Sequence, residues 1–167
     1  MKMTPKEIEK YLDLLGGTLD HVALITRGAS EEQLHHRASK QDWSVRYILA
    51  HLRACSEVWG NSIEAMLADE NPVLPDVHPR HWLKQTNYLD LRFRESLQAL
   101  ASQRAKMLSV LRQLSFEEWG RPAMIGGRKH TVFSQVRRMA KHEAEHITQI
   151  AGMLQRPADR MKMDPSV

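Results

Sequence analysis

The sequence is short of the features that would place it in several large protein classes. It has one cysteine, Cys55, in 167 residues. A lone thiol cannot close an intramolecular disulfide, which excludes a disulfide-stapled fold and makes a reducing compartment the simplest setting. No apolar run approaches the roughly 20 residues that span a bilayer. The opening Met-Lys-Met-Thr-Pro-Lys-Glu lacks the apolar core and small-residue cleavage site of a secretion signal, so a cytoplasmic protein is expected. Period-two segments, internal repeats and low-complexity tracts are missing as well. Charge of one sign is not concentrated: the formal +4 is spread among interleaved acids and bases. The densest basic group (Arg128, Lys129, Arg137, Arg138 and Lys141) reads as a solvated helix face, which argues against a nucleic-acid partner.

What is present is helical periodicity. With 42% hydrophobic and 26% charged residues, the composition is that of an ordinary globular domain. Thr4-Pro5-Lys6-Glu7 reads as a helix start, with a Thr cap and Pro in the first turn. Ile8, Tyr11, Leu15, Leu19, Val22 and Ile25 follow at helical spacing, and Gly16-Gly17 marks a kink or the close approach of another helix. Ser30-Glu31-Glu32-Gln33 is a second capping box, opening a short turn. A second long helix begins after Ser44 or Asp42, with a stripe running from Ile48 to Leu67. Asn71 to Pro79 holds three prolines and reads as a crossover loop.

A third long helix is expected from Leu83 to Leu114, and Ser115-Phe116-Glu117-Glu118 is another capping box. Residues 120–129 read as loop. Thr131 caps a fourth helix from Val132 to Gln155, ending before Pro157. The expected architecture is all-α: one four-helix bundle over residues 1–156, followed by a loose polar tail at 157–167.

Nine histidines are present. His21, His35, His36, His78, His81 and His130 lie in polar or loop contexts and read as surface residues. His142 and His146 stand at i and i+4 on one helix face, close enough for both imidazoles to reach one ion. Spacing alone is weak, but both flank the apolar stripe of the last helix and should point inward. A buried imidazole needs a partner at each nitrogen, and a metal supplies one. His51, within Ile48-Leu49-Ala50-His51-Leu52, is also embedded in an apolar run. Three inward histidines on two bundle helices favour a metal site.

His142-Glu143-Ala144-Glu145-His146 also matches the H-E-x-x-H string of zinc proteases. A third ligand should then follow downstream, yet after His146 the chain offers only Asp159 and Asp164 as candidates. The extended form needs Gly and His where Gln149 and Gly152 stand, and no strand is evident to hold a peptide. The protease reading is set aside.

Trp43-Ser44-Val45 with Ile48-Leu49-Ala50-His51-Leu52, followed close to ninety residues later by His142-Glu143-Ala144-Glu145-His146-Ile147-Thr148-Gln149-Ile150, resembles the DinB/YfiT-like metalloenzyme superfamily. The similarity covers approximately residues 5–156. It implies a down-up-up-down four-helix bundle, often homodimeric. It also implies that His51, His142 and His146 hold one divalent ion, zinc or nickel foremost. Some relatives are transferases or isomerases that use low-molecular-weight thiols.

Three neutral imidazoles leave a coordination position open, the design of a catalytic centre rather than a structural one. Thiol or water bound there would become a nucleophile near neutral pH, and the residues themselves do not discriminate. A thiol S-transferase acting on a small electrophile is the reading the resemblance implies. A metal-dependent hydrolase and a non-catalytic metal-binding stress-response or interaction protein are the alternatives. Glu143 is the candidate for an acid–base or ligand-orienting role, against a plain reading as a solvated helix residue. Cys55, one turn after His51, is a fourth ligand, a redox partner or, preferably, a small buried hydrophobe.

Overall fold

Side-chain caps open three of the long helices where the sequence places them. In the computed structural model, which describes residues 2–155, Thr4 accepts from the Glu7 amide, Ser44 from Tyr47 and Thr131 from Ser134. Each bond satisfies one of the amides that a helix start leaves without a partner. The four long helices are α1 (Pro5–Ile25), α3 (Val45–Ala68), α5 (Phe93–Leu111) and α7 (Val132–Leu154). The capping boxes of Ser30 and Ser115 open only short helices, α2 (Glu31–His35) and α6 (Phe116–Trp119). Helix α1 runs unbroken through Gly16-Gly17, and Gly16 faces Leu108 and Arg112 on α5 at ordinary contact distance.

Core packing sets the directions of the helices. Ile8, Tyr11 and Leu15 of α1 share one cluster with Phe133, Val136 and Ala140 of α7, and with Leu108 and Leu111 of α5. The other end joins Leu19 and Val22 to Ile147 and Ile150, and to Phe93, Leu97 and Leu100. Thus α1 and α7 run parallel, while α5 runs against both. On α3, Val45–Leu52 lie at the Phe93 end and Val58–Met66 at the Leu108 end, so α3 and α5 run together. This is the down-up-up-down bundle that the family resemblance implies. A parallel pair needs a connection that travels back along the bundle, and residues 69–92 provide it.

That connection and the one before α7 differ from the sequence expectation. The helix expected from Leu83 is instead the short α4 (Pro79–Leu83), then turns, then α5 from Phe93. The spacing Leu89–Phe93–Leu97 imitates a helix, but Leu89 is exposed and Tyr88 is the residue buried, against Ala50, Ala54 and Leu83. Glu57 on α3 holds the segment, accepting from the Trp82 indole at 2.7 Å and from the Tyr88 hydroxyl.

Residues 120–129 are not plain loop. Strands β2 (Pro122–Ile125) and β3 (Arg128–Thr131) form an antiparallel hairpin, and β1 (Val73–Leu74) of the crossover pairs parallel to β2, Val73 opposite Met124. The turn is Gly126-Gly127 at φ +54° and +76°, the left-handed backbone that a two-residue hairpin turn demands. The strands are too short for alternation to stand out, so the Gly-Gly pair was the only local signal. No described helix is long and apolar enough to cross a membrane. The tail after Pro157 lies outside the described residues.

Candidate metal centre

His51 is carried by α3 and is buried; His142 and His146 are carried by α7 and are half-buried. Because α3 and α7 pack antiparallel, the two turns of α7 meet the one turn of α3. Their ligand atoms all lie within 4.8 Å of one another. The Nε2 atoms of His51 and His142 stand 3.3 Å apart. Two nitrogens each about 2.0–2.1 Å from a tetrahedral ion would be separated by roughly the same distance.

The protonation states suit a cation. Burial first, then the neighbouring His142 and His146, push the His51 pKa down to about 3, with Arg80 and His78 adding to the shift. Burial, then His146 and Arg138, push His142 down to about 4. Both rings are therefore neutral at neutral pH and present lone pairs. His142 Nδ1 is buried and makes no hydrogen bond among the described residues. His146 Nδ1 lies 2.9 Å from Gln149 Oε1, an acceptor, so the proton sits on Nδ1 and Nε2 is left to bind. The donor set fits a borderline divalent ion such as zinc or nickel.

Two tryptophans wall the centre. Trp43 stacks on His146 with centroids 5.7 Å apart and meets His51 edge-on at 4.9 Å. Trp59 meets His142 edge-on at 5.1 Å. Each carries a guanidinium, Arg80 at 5.4 Å from the Trp43 ring and Arg138 at 4.6 Å from that of Trp59. The solvated reading of Arg138 thus covers only part of its role.

Cys55 Sγ lies 3.5 Å from His51 Nε2 but does not belong to the converging ligand group. Burial, with Glu143 adding to it, raises its pKa to about 12, which keeps it a neutral thiol. Glu143 is not a solvated helix residue. Its carboxylate is buried and bound through both oxygens by Arg104 of α5, with Nη1–Oε2 at 2.9 Å. Glu145 is exposed. Arg104, Gln149 and Arg80 carried no motif; only Gln149 stood inside a segment already singled out.

A four-helix bundle with three converging histidines defines the class, and the family model of the DinB superfamily matches residues 14–150. The chain belongs to the DinB superfamily. A solved structure described as "YfiT from Bacillus subtilis is a probable metal-dependent hydrolase with an unusual four-helix bundle topology" is similar to it, with a TM-score of 0.82 at 16% identity, covering 98% of this chain and 92% of that one. At that identity the likeness speaks for the fold. No curated protein matches the sequence.

Proposed function

We propose that this protein is a divalent-metal-dependent enzyme in which His51, His142 and His146 hold one ion and a small nucleophile is directed at a small electrophile. The convergence of three imidazoles within 4.8 Å carries the reading. Structural zinc is normally closed by four protein ligands, whereas three leave room for a reactant. When bound, such an ion supplies Lewis acidity and lowers the pKa of a nucleophile beside it.

The chain's own residues hold, orient and shield. Gln149 fixes the tautomer of His146. Trp43 and Trp59 keep water from the two flanks, which strengthens electrostatic interactions inside. Glu143, whose oxygens are occupied by Arg104, sets the place of its neighbour His142 rather than moving a proton.

Thiol S-transfer with a low-molecular-weight thiol is supported by the family resemblance. Hydrolysis is supported by the description YfiT carries. Metal analysis of protein prepared without a metal-affinity step tests the site: about one ion per chain is expected, and His51→Ala, His142→Ala and His146→Ala should each abolish it. A panel of electrophiles with zinc- or nickel-loaded protein, with and without thiol, tests the reaction. Turnover that needs thiol supports the transferase, turnover in water alone the hydrolase, and neither with loaded protein refutes an enzyme.

A further inference from the structure

The charge around the three histidines has one sign. Imidazole ligands bring no negative charge to a divalent ion, whereas a carboxylate ligand would offset part of it. Every neighbouring charge that shifts His51 or His142 is positive: Arg80, His78 and the other two histidines act on His51, and His146 and Arg138 on His142. Carboxylates of this region are committed elsewhere. Glu143 is held by Arg104, and Asp76 acts on His130. Asp42 and Glu145, beside Trp43 and His146 in the chain, are exposed and shift neither ring.

Arg80 and Arg138 are exposed, and neither forms an ion pair among the described residues. Each is instead laid against a tryptophan of the centre, Arg80 5.4 Å from the Trp43 ring and Arg138 4.6 Å from that of Trp59. A guanidinium on an aromatic face keeps its fork of N–H donors available to an oxyanion. Arg138 also stands four residues before His142, one turn away on the same face of α7. Trp43 touches His51 and His146, and Trp59 touches His142, so the rings that shape the centre also fix the two cations beside it.

We propose that Arg80 and Arg138 make this centre selective for anionic reactants, recognising a carboxylate on a small molecule whose reacting atom lies at the histidines. The selectivity rests on the metal-dependent reading above and names its substrate class. A neutral molecule of the same shape would leave the positive charge uncompensated. An anion supplies what no carboxylate of the protein does, and charge-assisted hydrogen bonds to either guanidinium hold it.

The probes are 3-mercaptopropionate and its neutral amide, 3-mercaptopropionamide, titrated calorimetrically into zinc-loaded protein of measured metal content. The two differ in charge and hardly in shape. A carboxylate makes its own thiol harder to ionise, so a preference for the acid cannot come from the sulfur. The acid should bind about tenfold tighter, the size of one charge-assisted hydrogen bond. Arg80→Gln and Arg138→Gln should each reduce that preference, and the double variant should remove most of it. Arg80→Lys with Arg138→Lys should retain part of it, because the charge stays while the fork is lost. Zinc content should be unchanged throughout. Equal binding of acid and amide, no binding of either to zinc-loaded protein, or a preference undiminished in the double Gln variant would overturn the assignment and leave the metal site standing. Protein that takes up no zinc would refute the metal reading, and the anion selectivity with it.

Discussion

The Arg104–Glu143 pair offers the sharpest test of how this bundle is held together. Both side chains are almost wholly buried, at 3% and 1% exposure, and Arg104 also donates to the Leu15 carbonyl at 3.2 Å. One guanidinium therefore ties α5 to α7 and to α1 in the middle of the core. Taking two charges out of water is expensive, and their attraction about repays that cost, so the intact pair adds little net stability. Losing one partner is different, because the survivor stays buried and uncompensated. Glu143→Leu should cost about 3–5 kcal/mol, and Arg104→Met about the same. For a domain of this size that is a fall in Tm on the order of 10 °C.

The double variant Arg104→Met with Glu143→Leu should recover most of the loss, or exceed the wild type by about 1–4 kcal/mol. Urea unfolding of the four proteins in a double-mutant cycle measures the coupling. Single variants that lose less than about 1 kcal/mol would refute the claim that the pair is desolvated. So would a double variant as unstable as the two singles added together.

Other outcomes follow from the same geometry. His51 and His142 have folded pKa values of about 3 and about 4, below the ordinary 6.5, so between those limits the unfolded chain binds more protons than the metal-free folded one. Metal-free protein should thus be at full stability above pH 6.5 and lose it as the pH falls toward 4. Melting curves across that range check this, and a joint His51→Gln, His142→Gln variant should flatten the profile. Gln149→Ala frees the His146 tautomer and should weaken metal binding by about 10–100-fold, read by competition with a chelating dye. Gly126→Ala places a Cβ 2.6 Å from that of Asp76 at φ +54°. It should cost about 1–3 kcal/mol in thermal unfolding, with α-helical circular dichroism retained.

The sequence by itself determined the helices that bury a continuous stripe. Thr4, Ser44 and Thr131 announce their starts through local hydrogen bonds, and periodic Leu, Ile and Val decide which face turns inward. His51, His142 and His146 were legible for the same reason, because a polar ring within an apolar stripe must face the core. Connections were harder to read. Leu89 mimics the stripe while Tyr88 is the buried residue, and two four-residue strands are too short for alternation to emerge from chance.

Only the tertiary structure decided what depends on separate helices meeting. Nothing near Glu143 in the chain points to Arg104, thirty-nine residues away. The same holds for Trp43 stacking on His146, and for Arg138 leaning on Trp59. Sequence periodicity assigns a side chain to a face. Which charge, ring or cavity that face meets is fixed by the antiparallel packing of α3 on α7 and by the crossover that lets α3 and α5 run in parallel.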